Sequence, residues 1–590
     1  MKRLIILAAT LIAGLSACDS LLDKEPLDRV TQFDYFKTRS DLELFSNPFY
    51  DNLLDKTPYD EQNDLLVQMT LSDVLYGGDK RTVPNTGGGW SWGNLRRINT
   101  LLEYVDQCED KKAVTEYTAL AKFFRAAFYF DKVKRFGDVP WYEVQLGSAD
   151  EALYKPRDSR ELIMTNMIKD IDEAINSGGL TEDISTYRVN KWAALALKAR
   201  FCLFEGTYRK YHGINLEGHD YTYYLEEAAK AAKTIIDEGP YKLYSTKNPD
   251  KDYMMLFAQE NASTEEYILA IRNSYEAQVY HNATAYTLLP TQGRPGYTRK
   301  FINMYLMKDG KAFTDKFKTE WQTMPFTEEV KDRDPRLAQS IRTPGYKRIG
   351  AKRVQGPDLG VTITGYQPIK FVQDTTASGG QIDRNDRSTC DMPVFRYAEV
   401  LLNYAEAKAE LGEMDQTVWN KTIRPLRERS GVSGAMPATA DPYLASYYDG
   451  VTDKWILECR RERSIELYME NTRRDDLMRW RMGHKLTVEF AGIHIPELGK
   501  PFDMNGDGKN DLCFYSKSHP KSGSNQTGVS YVEVTAEEGD NVTTYSVNKD
   551  NCLVYILDRE WADYKYLYPV PKNALDINPN LRPQNPGWDD

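Results

Sequence analysis

The feature that most constrains this chain is a recurring helical period closed by glycine. Leu120, Phe123, Phe124, Ala127, Phe128, Phe130 and Val133 share one broad helical face, and Gly137 followed by Pro140 marks its end. The pattern returns over residues 161–176, 190–210 and 221–238, the last closed by Gly239-Pro240. Amphipathic helices joined by short turns fold back on one another as antiparallel pairs. Alanines at 193, 194 and 196, at 228, 229, 231 and 232, and at 405 and 407 allow close helix approach, as in tetratricopeptide repeats of about 34 residues, although that consensus is degenerate here. The expected fold is therefore mainly α: irregular tetratricopeptide-like helix pairs over about 40–240 and again over 392–482.

Between these blocks, residues 241–391 break into short runs rich in turn residues, such as Gln292-Gly293-Arg294-Pro295-Gly296. This reads as a loop-rich insertion on a helical scaffold, where binding residues commonly lie. Residues 483–590 are irregular, first rich in Gly, Asn, Asp and Ser and then in Pro and Asn, and are expected to be ordered by packing.

The amino terminus sets the location. Lys2 and Arg3 precede an apolar run from Leu4 to Leu15 that is too short for a permanent span, so residues 1–17 read as a cleaved secretory signal and 18–590 as the mature body. Leu15-Ser16-Ala17-Cys18 resembles a bacterial lipobox, which implies acylation of Cys18. Two or more acyl chains anchor a protein stably where one does not.

Loss of Lys2 and Arg3 takes the formal charge from −11 to −13, with no basic stripe, which argues against a nucleic-acid partner. Six cysteines follow Cys18, none in CxxC spacing; most read as buried thiols, with Cys513 and Cys552 the favoured disulfide pair. The 39 Tyr and 10 Trp suit recognition of sugars or peptides by ring faces and hydroxyls.

Several segments resemble the SusD/RagB family of outer-membrane lipoproteins over nearly the whole chain. They are Cys18-Asp19-Ser20-Leu21-Leu22-Asp23; Phe124-Arg125-Ala126-Ala127-Phe128-Tyr129 with Arg135-Phe136-Gly137-Asp138; Phe395-Arg396-Tyr397-Ala398-Glu399; Arg460-Arg461-Glu462-Arg463 with Asp476-Leu477-Met478-Arg479-Trp480; and Tyr568-Pro569-Val570-Pro571 with Gln584-Asn585-Pro586-Gly587-Trp588. The resemblance implies a non-catalytic surface lipoprotein of the outer membrane that binds glycans for nutrient uptake, as in polysaccharide utilisation, and acts as a lid on a SusC-type TonB-dependent transporter. Glu462, Glu466 and Glu470 alternate with arginines at helical spacing and read as ion pairs, not as a site.

The leading ligand candidate is Gly87-Gly88-Gly89-Trp90-Ser91-Trp92. Three glycines leave the backbone exposed, and an indole beside them can stack on the C–H face of a sugar while side chains take its hydroxyls. Asp73, Arg81 and Asn94 are the nearby polar candidates. By regional resemblance to glycan-binding members of the family, Tyr297 and Trp321 would supply facing rings. A second constellation, Asp503, Asn505, Asp507, Lys509 through its carbonyl, and Asp511, matches the start of an EF-hand-type Ca2+ loop, with Phe514 where the bidentate acid would stand. Histidines at 212, 219, 281, 484, 494 and 519 form no HExxH pair, and no GxSxG or P-loop occurs. Three alternatives stay open: a peptide-binding lid, a surface glycoside hydrolase, and a periplasmic repeat scaffold that binds only protein.

Overall fold

A computed structural model describes residues 35–60, 63–69, 82–536, 544–557 and 559–588. Six long helices form the amino-terminal half: α1 (Arg39–Leu53), α2 (Gly93–Tyr104), α3 (Lys111–Phe136), α4 (Arg160–Asn176), α5 (Lys191–His212) and α6 (Tyr221–Glu238). Their starts are set by side chains that accept orphan amides: Asp110 from Lys112 and Ala113, Ser159 from Leu162, Asn190 from Ala193, and Asp220 from Thr222 and Tyr223. Each such cap contributes about 1 kcal/mol. α3 stops at Gly137, whose φ of 72° is the left-handed geometry that glycine takes at least cost.

α3 packs on α4, and α5 packs on α6. The second pair depends on Gly206, because a Cβ there would meet Leu225 Cγ at 2.8 Å. α7 (Tyr397–Glu410) then lies across α6 and α8 (Lys454–Glu466). A short helix, α9 (Arg473–Arg479), packs back on α5. The fold is thus the predominantly helical one that the periodicity indicates.

Short strands tie the insertion to this scaffold. β1 (Leu66–Val67) pairs antiparallel with β3 (Gly296–Tyr297), and β2 (Tyr267–Ile271) with β4 (Met392–Arg396). In the carboxy-terminal part β5 (Ala491–His494), β8 (Tyr545–Val547) and β9 (Cys552–Tyr555) form one sheet, while β6 (Leu512–Tyr515) and β7 (Ser530–Glu533) form a parallel pair. One apolar core fills the space between the helices; a second, with Tyr253, Phe257, Tyr297, Phe301 and Phe371, lies under the insertion.

α8 carries charge into the interior. Glu466 is fully buried and accepts from Arg396 at 2.9 Å and Arg336 at 3.0 Å. Arg396 also donates to Glu266 at 2.8 Å and Glu470 at 2.7 Å. Most acidic and basic residues of this segment are therefore structural ion pairs; the exception on α8 is Arg460, which is buried against the rings of Tyr211, Tyr448 and Trp480 with no carboxylate partner among the described residues. The expected disulfide does not form: Cys513 and Cys552 are both free and buried, on strands of different sheets. Cys552 Sγ instead lies 2.7 Å from Arg299 Nη1.

Candidate binding cleft

The glycine run is built as a braced turn. Gly87, Gly88 and Gly89 have φ of 75°, 57° and 88°, and the Trp90 amide donates to the Gly87 carbonyl at 2.9 Å. Two residues of α3 hold it from below: Arg135 Nε donates to Gly88 O at 2.7 Å, and Lys132 Nζ to Gly89 O at 2.6 Å. A Cβ at Gly89 would meet Arg135 Nε at 2.5 Å, so both backbone conformation and close approach demand glycine there. Burial pulls the Lys132 ammonium below the usual lysine range.

Beyond the turn the side chains alternate. Trp90 and Trp92 open onto one cleft, whereas Gly89, Ser91 and Asn94 line a second cavity behind it, of about 590 Å³ and with charged walls. The indoles sit edge to face, and Trp90 also packs on Phe136 with ring centroids 4.8 Å apart. Trp90 is thus half-buried, although the glycines before it offer no side chain to pack on.

The cleft has a volume of about 670 Å³. Its far wall is the segment after α3, where Tyr142 meets Trp92 at 5.7 Å and 82°. Asn99 fixes that wall by donating to the carbonyls of Tyr142 at 3.0 Å and Val144 at 3.1 Å, and the Tyr142 amide donates to the Tyr129 hydroxyl at 2.6 Å. Burial, with Asp158 nearby, pushes the Tyr142 phenol up to about 12, so it stays a neutral donor and acceptor at physiological pH.

The third wall comes from the carboxy terminus. The amides of Lys572 and Asn573 donate to the carbonyls of Pro84 and Asn85, both at 3.0 Å, so the last segment joins the approach to the glycine turn. Asn585 Nδ2 donates to Phe136 O at 3.0 Å and Tyr568 O at 2.7 Å, and Gln584 exchanges two hydrogen bonds with Val570. The terminal Pro and Asn motif is thus a conformational lock, and it builds one wall of the cleft. Val144, Leu153 and Ile577 rim the opening and are 56%, 36% and 59% exposed.

Other expected residues fall elsewhere. Asp73, Arg81 and Cys18 lie outside the described residues. Tyr297 is fully buried, its ring packed on Phe301 and Tyr468, because β3 pairs with β1 and draws it into the second core. It is a core residue and not a facing ring. Trp321 packs edge to face on Tyr443 at 5.9 Å, its carbonyl accepts from Arg299, and it is not among the cleft residues. The sequence reading missed Tyr142, Arg96, Asn573 and Ile577; the Trp141-Tyr142 pair after the Pro140 turn was the available signal.

The proposed Ca2+ loop is a ladder of turns. Asp503 accepts from the amides of Gly506 at 2.7 Å and Gly508 at 2.8 Å, Asn505 from Asp507 at 2.9 Å, and Asp507 from Lys509 at 2.9 Å. Asp511 accepts from the amides of Met504 and Asn505, both at 3.0 Å. Among the described residues no three His, Cys, Asp or Glu side chains are grouped to hold a metal ion. The donor set as it stands accepts from backbone amides.

Comparison with known proteins fits this architecture. The SusD family model matches residues 256–588, and a model described as starch-binding associating with outer membrane matches residues 35–195. The chain belongs to the SusD family. SusD-like protein P38 of Formosa agariphila is 24% identical over 500 residues, covering 79% of this chain and 88% of its own. A SusD-like protein of Bacteroides ovatus is 23% identical over 510 residues, covering 81% and 82%. Among solved structures, a SusD-like protein of Bacteroides fragilis superposes with a TM-score of 0.65 at 19% identity, covering 96% of this chain and 100% of that one. A SusD-like carbohydrate binding protein of the same species gives 0.62 at 22% identity, covering 93% and 100%.

Proposed function

We propose that this protein captures glycans at the outer face of the outer membrane, anchored through an acylated Cys18, and passes them without hydrolysis to a SusC-type TonB-dependent transporter. The observation that carries the reading is the convergence of Trp90, Trp92 and Tyr142 on one cleft of about 670 Å³. Small-ligand sites commonly span about 300–1,000 Å³, with mostly apolar walls and a few placed polar groups. Here the polar groups are Arg96 and Asn573, both exposed on the cleft, while Asn99 is spent on holding its wall. A structural neighbour described as a SusD-like carbohydrate binding protein supports the ligand class. Membership of the SusD family, and a second match described as associating with the outer membrane, support the location. Tethering raises the local concentration of receptor beside a transporter, so weak contacts suffice.

The test is calorimetry of the mature chain against a panel of neutral and acidic oligosaccharides and peptides, with product analysis by chromatography. Binding of a glycan with no product formed is the expected result. Peptide-only binding, or release of shorter sugars, overturns it. Cys18→Ala should move the protein from the membrane to the soluble fraction, and a variant that still floats with membranes after a high-salt wash removes the anchor from the proposal.

A further inference from the structure

Buried arginines in this protein typically face carboxylates: Arg125 pairs with Asp170, Arg160 with Glu205, Arg299 with Glu329 and Arg473 with Asp64. Arg342 does not. It is only 8% exposed, its Nη1 donates to the Gly356 carbonyl at 3.1 Å, and its Nε has no acceptor among the described residues. No ion pair joins it to a carboxylate among the described residues. A guanidinium taken out of water without an anion is costly, and burial accordingly pulls the Arg342 pKa below the usual arginine range.

Arg342 opens onto a third cavity of about 550 Å³, between the insertion and the carboxy-terminal part, together with Arg294 and Arg353. Arg294 has a φ of 54° immediately before Pro295. A residue with a side chain takes that left-handed conformation at a cost, and such strain gathers at ligand sites. Its Nη2 is held by the Leu359 carbonyl and the Tyr545 hydroxyl, while its buried Nε also lacks an acceptor among the described residues. Arg353 is exposed at the mouth, and the side-chain oxygen of Gln355, on the same wall, is buried without a donor.

Two acids also reach this wall, and both are engaged elsewhere. Asp511 accepts from the amides of Met504 and Asn505 and from Asn505 Nδ2, and Asp358 Oδ1 accepts from the Gly360 amide at 2.7 Å. What remains is a concave site in which, among the described residues, three guanidinium groups face two carboxylates that keep their charge, neither of them bonded to Arg342. The planar fork of arginine matches two oxygens of a carboxylate or sulfate at once.

We propose that this cavity receives the anionic substituent of an acidic glycan, a uronate carboxylate or a sulfate ester. Arg342 is the buried anchor, and Arg294 and Arg353 are flanking donors. The inference rests on the glycan reading and deepens it, since the aromatic cleft offers an acidic sugar a single exposed guanidinium, Arg96, against three in this cavity. The two cavities share no lining residue, so they are separable by mutation.

The experiment is calorimetry of the mature chain against an oligogalacturonide, a sulfated oligosaccharide and a neutral oligosaccharide of equal length, with Arg353→Gln, Arg342→Gln and Trp90→Ala beside the wild type. The wild type should bind one acidic probe about fivefold or more tightly than the neutral one, and that preference should shrink as salt rises from about 50 to about 300 mM. A stronger response to the uronate assigns a carboxylate; the reverse assigns a sulfate. Arg353→Gln should erase the preference at an unchanged melting temperature, because its side chain is exposed, while leaving neutral-glycan affinity intact. A preference that survives in both arginine variants, or equal binding of all three probes, overturns the anion site and leaves the aromatic cleft standing. If none of the glycans binds, the glycan reading falls, and inorganic sulfate at fixed ionic strength then decides. Sulfate should raise the melting temperature of the wild type more than that of Arg353→Gln, and an equal response removes the site.

Discussion

Trp90 and Trp92 meet edge to face, with ring centroids 5.4 Å apart and planes at 80°. Each indole therefore braces the other while both border the cleft, and Phe136 backs Trp90 at 86° from its plane. A ring in this position serves binding and packing together.

Trp90→Ala is therefore expected to do two things. Loss of a stacked ring should weaken glycan binding by about 1–3 kcal/mol, by analogy with base–aromatic stacking. Loss of its packing on Phe136 and on the Val570, Leu575 and Leu581 cluster should also lower the melting temperature. Calorimetry on the folded variant separates the two. Unchanged affinity would move the site away from the indoles, and an unchanged melting temperature would mean that the ring does not brace the wall.

His281 makes stability depend on pH. It is buried, its Nδ1 accepts from the Ala283 amide at 3.1 Å and its Nε2 donates to the Cys390 carbonyl at 2.8 Å, so the neutral ring is fully used. Burial drives its pKa down to about 4, and that of His212 likewise to about 4. An unfolded histidine titrates near 6.5, so between about 6.5 and 4 the unfolded chain binds the extra protons. Stability is then full above about pH 6.5 and declines as pH falls toward 4, with a slope approaching about 1.4 kcal/mol per pH unit for each ring. Denaturant melts at several pH values check this, and His281→Gln should flatten the slope. An equal slope in that variant assigns the acid sensitivity elsewhere.

The long helices were legible because their cause is local. The apolar face of residues 120–133 and the stop at Gly137 need only neighbours within a few turns, and α3 ends where the glycine predicts. The alternation of Glu462 and Glu466 with arginines was likewise readable as ion pairing, although its burial was not. Cleft geometry depended on contacts far apart in sequence. Nothing near the glycines announces that Arg135 and Lys132 will grip their carbonyls, or that residues 571–581 will close the cleft from the other end of the chain. Tyr297 misled for the same reason: a Gly- and Pro-rich run reads as an open loop, but Gly296 packs against Thr362 and Thr364 and its strand pairs with β1.

Calcium binding by the loop from Asp503 to Asp511 remains a proposal with a direct consequence. The backbone is already turned by Asp503 and Asn505, each of whose bonded oxygens accepts from one amide and keeps a second lone pair for an ion. Binding to the folded chain alone must raise the melting temperature with ion concentration. A higher melting temperature in millimolar calcium than in chelator is the expected result, and superimposable curves remove calcium from this loop.

Glu466 is the strongest test of whether the arginine-rich segment is fold or site. Its burial works to raise its pKa, but the fields of Arg429, Arg396 and Arg336 together overcome this and hold it far below the usual carboxylate range. Its stabilising contribution is therefore present above the unfolded value, near pH 4.3, and is lost only as pH falls toward its much lower folded value. Glu466→Gln removes a charge shared by three buried guanidinium groups, but Arg396 keeps Glu266 and Glu470, Arg429 keeps Glu266, and Arg336 keeps Asp334 and Glu462, so the cost should be about 3 kcal/mol, the low end for a broken buried pair. Removing a partner as well, in Glu466→Gln with Arg429→Met, should recover part of that loss, since the other carboxylate facing Arg429, Glu266, keeps its pair with Arg396. Denaturant melts measure both, and the folded fraction of each variant should bind glycan as the wild type does. A variant that keeps its stability but loses binding would turn this network from scaffold into site.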